Sequence, residues 1–262
     1  MVLTLLAACT LMGCATEPPE ARMLGPNDVL FTATTDERQA ALAVLDSLQQ
    51  NTLPAAFDRL ARYAFTHRVE AVQRTPDGAV TARRTAVRRF PPPDSAQRPL
   101  RVRADSSGSF EGSWLDALAP EGEDDLVNRA QYVLPDDPAY LEPRTREAFR
   151  YRLGPDTAFG GRTVHVVEIR AQPGALGADR AIRHARLFVE PATYELVGLY
   201  LVRAETSLLF REDSRTLTHL RPAPDSGWVP AVTRLDARLD MPLQAAPLFR
   251  LDASFAAYRP LP

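Results

Sequence analysis

The residue types best able to do chemistry are thinly spread. Four histidines stand at His67, His165, His184 and His219, and the two cysteines are Cys9 and Cys14. No H-E-x-x-H pair or comparable metal spacing occurs. With both thiols near the N-terminus, a thiolate zinc site in the body of the chain is excluded. His165 and His184 fall on two strands expected to be adjacent, where a cross-strand polar pair is the expectation. There is no G-x-S-x-G elbow, no phosphate-binding loop and no G-x-G-x-x-G; Gly160-Gly161 reads as a turn. Among 33 acidic residues pairs are inevitable, and none is marked out for glycosidase-type work. The acidic stretches Glu121–Asp125 and Asp136-Asp137 lack the alternating ligands and closing Glu of a calcium loop, and read as solvated loops. The expectation is a protein that is not an enzyme and holds neither cofactor nor metal. A hydrolase is the lesser alternative, and would need clustered carboxylates or a histidine pair of perturbed pKa in a cleft.

Cys14 has a chemical context of a different kind. It closes the uncharged apolar run MVLTLLAACTLMGC. Leu11-Met12-Gly13-Cys14 resembles a bacterial lipobox, with leucine three before the cysteine and a small residue directly before it. The resemblance implies cleavage before Cys14 and its acylation, palmitate included. The chain would then be exported and tethered to a membrane through this N-terminal lipid anchor. Leu6-Ala7-Ala8-Cys9 also fits the small-residue rule, but leaves only a very short segment before its cysteine. A membrane span needs about 20 apolar residues, and Glu17, Pro18, Pro19 and Glu20 end the run. Ala15 stands where some lipoproteins carry an inner-membrane-retaining aspartate. The sorting rule of such lipoproteins then implies the outer membrane, with the chain facing the periplasm. Three segments follow: residues 1–13 a signal peptide, 14–33 a lipidated tether, and 34–262 one domain.

That domain has no cysteine, so packing and sheet hydrogen bonds must hold it. The apolar content of 45% suits a chain that buries a sizeable core. A net charge of −2 offers no electrostatic grip on nucleic acid. Every basic residue is arginine, which suits bidentate pairing with Asp and Glu on exposed strand faces. Twenty-three prolines argue for a loop-rich β domain and against a helical bundle.

The elements follow from periodicity. Thr34 or Thr35 caps a helix, with Glu37 and Arg38 in its opening turns. Its apolar stripe is Ala40, Ala41, Val44, Leu45 and Leu48. A second helix is expected over Thr52–Arg62, capped by Thr52 and burying Leu53, Ala56, Phe57 and Leu60. The period then becomes two: Phe65 to Val72, the turn Pro76-Asp77-Gly78, and Ala79 to Phe90 make a hairpin. Leu100–Arg103 and Gly108–Gly112 read as short strands around a Ser-Ser-Gly turn. Thr145–Leu153 fits helix or strand, and Gly154–Arg162 a loop. A meander follows, with strands over Thr163–Ala171, Ile182–Glu190, Tyr194–Arg203, Ser207–Arg211, Arg215–Leu220, Trp228–Met241 and Leu248–Tyr258. One face is apolar and the other charged, as when one side meets water. The strand from Tyr194 to Val202 departs from this, being apolar on both faces around Gly198. It must be covered twice, by a helix, by the sheet's own curvature or by a hydrophobic partner.

The order of helix, hairpin, irregular middle and long meander resembles the LolA/LolB superfamily of bacterial lipoprotein carriers. Three stretches carry the resemblance. Tyr63–Glu70 is similar to the family's first strand, and Arg186–Leu196 to its pair of apolar strands around a turn. Gly227-Trp228-Val229-Pro230 with Phe255-Ala256-Ala257-Tyr258-Arg259 is similar to its ending. The resemblance implies a mainly β, α+β fold: a curved antiparallel sheet, or half-barrel, with the N-terminal helix on its concave face. It implies a hydrophobic ligand, an acyl chain or a lipidated protein, and Leu196, Leu199, Leu201, Phe249, Leu251 and Phe255 are the candidate lining. The alternative is a scaffold or assembly lipoprotein of the envelope. Its own helices would fill the cavity, and its partner would be another envelope protein.

Overall fold

A computed structural model describes residues 31–91, 100–110, 139–172, 182–206, 211–240 and 247–260. Cys9, Cys14, the tether before residue 31 and the acidic stretches at 121–125 and 136–137 lie outside them.

Helix α1 (Thr35–Ser47) starts on a reciprocal capping box. The Glu37 amide donates to the Thr34 hydroxyl at 3.2 Å, and the Thr34 amide to the Glu37 carboxylate at 2.8 Å. Two otherwise orphaned amides are satisfied, a cap contributing about 1 kcal/mol. Its buried face is Ala41, Val44 and Leu45. Helix α2 (Thr52–Asp58) is shorter than its apolar pattern suggests and tightens into a 3-10 turn at Arg59–Arg62. Asn51, not Thr52, occupies its cap position; Thr52 is the first helical residue, and its hydroxyl donates to the Gln49 carbonyl at 2.8 Å.

Among the described residues eleven strands follow: β1 (Tyr63–Arg74), β2 (Val80–Phe90), β3 (Leu100–Ser107), β4 (Phe149–Leu153), β5 (Thr157–Phe159), β6 (Arg162–Ala171), β7 (Ile182–Val189), β8 (Leu196–Thr206), β9 (Arg211–Pro222), β10 (Trp228–Asp240) and β11 (Leu248–Pro260). They form one antiparallel sheet in the order β3-β2-β1-β11-β10-β9-β8-β7-β6-β4, with β5 added on β6. The sheet is open. β1 and β11 pair as the third and fourth strands from the β3 edge, Tyr63 opposite Pro260 and Arg74 opposite Leu248. The β10 proline, Pro230, stands at a register shift, where a missing amide does not break the ladder.

Several expectations are corrected. The strand expected to end at Arg103 runs on as β3 through both serines of the expected Ser-Ser-Gly turn, and Gly108 follows it with φ +71° where a second strand was expected to begin. The stretch from Gly154 to Arg162, expected as loop, contains β5. β9 runs unbroken from Arg211 to Pro222, so the strand expected from Arg215 starts earlier, and residues 207–210 of the strand expected before it lie outside the described residues. Thr145–Leu153 divides between a 3-10 turn and β4.

Directly paired residues share a face. One face carries Tyr151, Ile169, Ala185 and Leu201 across β4 to β8; the other carries Arg152, Glu168 and Arg186 across β4, β6 and β7. The apolar face is the core side. α1 packs on β4 and β6, and α2 on β8 and β10.

Candidate hydrophobic-ligand site

The strand that is apolar on both faces is buried by the chain itself. On the core side, Leu199 and Leu201 are 3% and 1% exposed, in one cluster with Val44, Leu45 and Leu53 of the helices. On the other side the Phe159 ring of β5 lies over the sheet. It stacks on Phe188 with centroids 4.0 Å apart and meets the His219 ring edgewise at 4.4 Å. Gly198 leaves the space for it. Burial holds the imidazolium of His219 unfavourable, so its pKa lies below the ordinary value.

The six candidate lining residues therefore fall into three groups. Leu196, Leu199 and Leu201 belong to the main core under the helices. Phe255 is in a second cluster, where Phe57 of α2 meets it edgewise at 6.2 Å and His67 stacks on it at 4.5 Å. Phe249 and Leu251 stand apart in a third cluster with Ala71 and Phe110, which contains no helix residue. Around this third cluster the register builds an apolar patch. Leu251 is opposite Ala71 on one side and Leu235 on the other; Phe249 is opposite Ala237. Leu235, Ala237 and Leu251 are half-buried, while Phe249 is 5% exposed. The next strand continues both rows with hydroxyls, Thr216 beside Leu235 and Ser214 beside Ala237. Leu235 and Ala237 were visible in the sequence as an alternating strand. Their place in the patch needed the β10–β11 register.

The ends of α1 and α2 are tied to the sheet at Trp228. Its indole N–H donates to Glu195 at 2.8 Å, and the Arg162 guanidinium lies 5.0 Å from its ring. The Gln49 amide donates to the Tyr194 carbonyl at 2.8 Å, and Arg59 donates to the Trp228 carbonyl at 3.3 Å. Gly227, at φ +73°, lies against the Arg59 guanidinium where a Cβ would collide. The Gly-Trp pair thus clamps the helices over the Leu199 half of the face.

The opposite face is polar and paired. Arg234 bonds Asp252, and Arg250 Nε is 2.7 Å from Asp236. Arg152 and Arg186 both engage Glu168, Arg186 at 3.0 Å. Burial pushes the Glu168 carboxyl up, but the hydrogen bond from Arg152 and the two guanidinium charges outweigh it, leaving its pKa below the usual value. His184 beside them is brought down to about 4, by burial first and then by Arg170 and Arg186. The expected pairing of His165 with His184 does not occur. The register sets His165 opposite Val189 and His184 opposite Arg170. His165 instead contacts Asp156 at 2.7 Å. Among the described residues no group of three or more His, Cys, Asp or Glu could hold a metal ion. Nor is any described helix long and apolar enough to cross a membrane.

No protein-family model matches the chain, and no curated protein matches it. Solved structures do align with it. A LolA-superfamily protein from Nitrosomonas europaea is 13% identical, over 85% of this chain and 94% of that one, with a TM-score of 0.25. A domain from Vibrio parahaemolyticus, named for outer-membrane lipoprotein sorting, is 14% identical over 80% and 92%, with a TM-score of 0.27. A DUF1329-family protein from Desulfovibrio piger is 12% identical over 84% and 92%, with a TM-score of 0.30. At such identities and scores no ligand or activity follows from them.

Proposed function

We propose that this chain is a membrane-anchored lipoprotein of the cell envelope that binds a hydrophobic ligand, an acyl chain or a lipidated protein. The reading is non-enzymatic. Its anchor is Cys14, and its location the periplasmic side of the outer membrane. The observation that carries it is the part of the apolar face where no described helix residue joins the cluster, and where half-buried Leu235 and Leu251 stand directly opposed beside Phe249. An acyl chain laid there gains about 0.8 kcal/mol per buried methylene without specific polar contacts. This moves the ligand away from Leu199, whose surroundings the helices already fill.

Uptake of a fluorescent fatty acid by delipidated protein tests the proposal. Binding should be saturable, and Leu251→Arg should abolish it while the protein stays folded. Absence of saturable uptake would sink the reading. The second reading, an envelope scaffold with no ligand, is favoured by the packing of α1 and α2 over the other half of the face. Under it, Leu251→Arg would instead weaken a stable complex with a co-purifying envelope protein.

A further inference from the structure

The three large apolar residues that stand exposed among the described residues are Val80, Leu100 and Val102, at 48%, 60% and 53%. All lie on the β2–β3 ribbon at one edge of the sheet, and every residue of β3 is exposed. The same ribbon is strongly basic. It carries Arg83, Arg84, Arg88, Arg89, Arg101 and Arg103 against one acidic residue, Asp105. Glu70 of β1 takes up part of that charge, lying 3.4 Å from Arg83 and 3.8 Å from Arg68. Arg89, Arg101 and Arg103 form no ion pair among the described residues. The chain as a whole carries a net charge of −2, so the positive excess is local.

We infer that the exposed β3 edge docks on an anionic lipid surface, with Arg101 and Arg103 at the phosphates and Leu100 and Val102 in the interfacial layer. On a strand, alternate residues leave opposite faces. At a fully exposed edge both rows reach a surface that approaches edge-on. Each arginine near an anionic bilayer strengthens binding about fivefold. Arginine stems also let their charged ends stay at the headgroups while apolar neighbours sink. An unpaired edge is otherwise a template for a second strand, and charge along it is a common device against such pairing. The arginines therefore favour lipid over another copy of the chain.

The test uses the full chain with Cys9→Ser and Cys14→Ser, so that no acyl chain contributes. Vesicles hold phosphatidylglycerol and phosphatidylcholine in equal parts, or phosphatidylcholine alone. The protein should sediment with the anionic vesicles, prefer them to the neutral ones, and release in about 0.5 M salt, where screening is short-ranged. Arg101→Gln with Arg103→Gln should weaken partitioning about 25-fold with an unchanged melting temperature. The N-terminal apolar segment is common to both proteins and cancels. Equal partitioning of the two proteins, or no preference for anionic vesicles, overturns the inference. A concentration-dependent dimer that Leu100→Pro abolishes, without lipid preference, overturns it in favour of edge pairing between copies.

Discussion

The ring of Phe159 occupies the place where a side chain on residue 198 would stand: a Cβ on Gly198 would meet Phe159 Cε1 at 2.4 Å and Phe188 Cδ2 at 3.2 Å. Both rings are rigid and stacked on each other, so neither yields cheaply. Gly198→Ala should lower stability by about 1–3 kcal/mol, the usual cost of overpacking a core. Thermal unfolding reads this directly. Phe159→Leu should return part of the loss when combined with Gly198→Ala, because the two positions share the contact. Simple addition of the two losses would mean that the collision is not the cause.

The proposed ligand site and the helix-covered core occupy different parts of the apolar face. Leu199→Ala should cost about 2–5 kcal/mol, since the residue is packed under the helices and leaves a cavity. Leu251→Arg should barely change the denaturant midpoint, because the half-buried position lets the guanidinium reach water, and should remove fatty-acid uptake. Unfolding curves and a binding titration on the same preparations settle which residue does which.

His184 makes stability depend on pH. Its folded pKa, about 4, lies below the ordinary 6.5. The unfolded chain therefore takes up the proton first as pH falls. Stability is full above 6.5 and drains away between 6.5 and 4, by on the order of 3 kcal/mol at most. Glu168, whose folded pKa is lowered, adds a loss of the same sign at still lower pH. Denaturant melts at pH 7, 6, 5 and about 4 should show the slope, and His184→Gln should flatten its upper part. A slope unchanged in the variant would assign it to other groups.

Acylation at Cys14 is testable apart from the fold. Cys14→Ser should abolish labelling by a fatty-acid analogue and release the protein from the membrane fraction. Retained label would point to Cys9.

Legibility differed from element to element. α1 was readable because its cap box and apolar stripe are local, and the β1–β2 hairpin because Pro76-Asp77-Gly78 separates two alternating runs. The charged face was likewise foreseen from alternation, and Arg234–Asp252 and Arg250–Asp236 realise the arginine–carboxylate ladders. β5 was not readable: three residues carry no period, and its burial comes from Gly198 far along the chain. For the same reason a partner was conceivable over this strand, when the helices already cover Leu199 on one side and Phe159 covers Gly198 on the other. The candidate site was half legible. Phe249 and Leu251 alternate visibly, but separating them from Leu199 required the strand order, which no local pattern encodes.

The pairing of β1 with β11 has a consequence for how the protein is made. β1 is synthesised before β2 to β10, and β11, the strand that joins it to the rest of the sheet, only after them. Until then β1–β3 cannot join the meander, and Val69 and Ala71 wait for their partners Ala253 and Leu251. Such distant pairings close slowly. A product truncated before Leu248 would hold two sheet fragments with unmatched apolar edges. β11 is thus the strand whose arrival joins the β1–β3 part of the sheet to the meander.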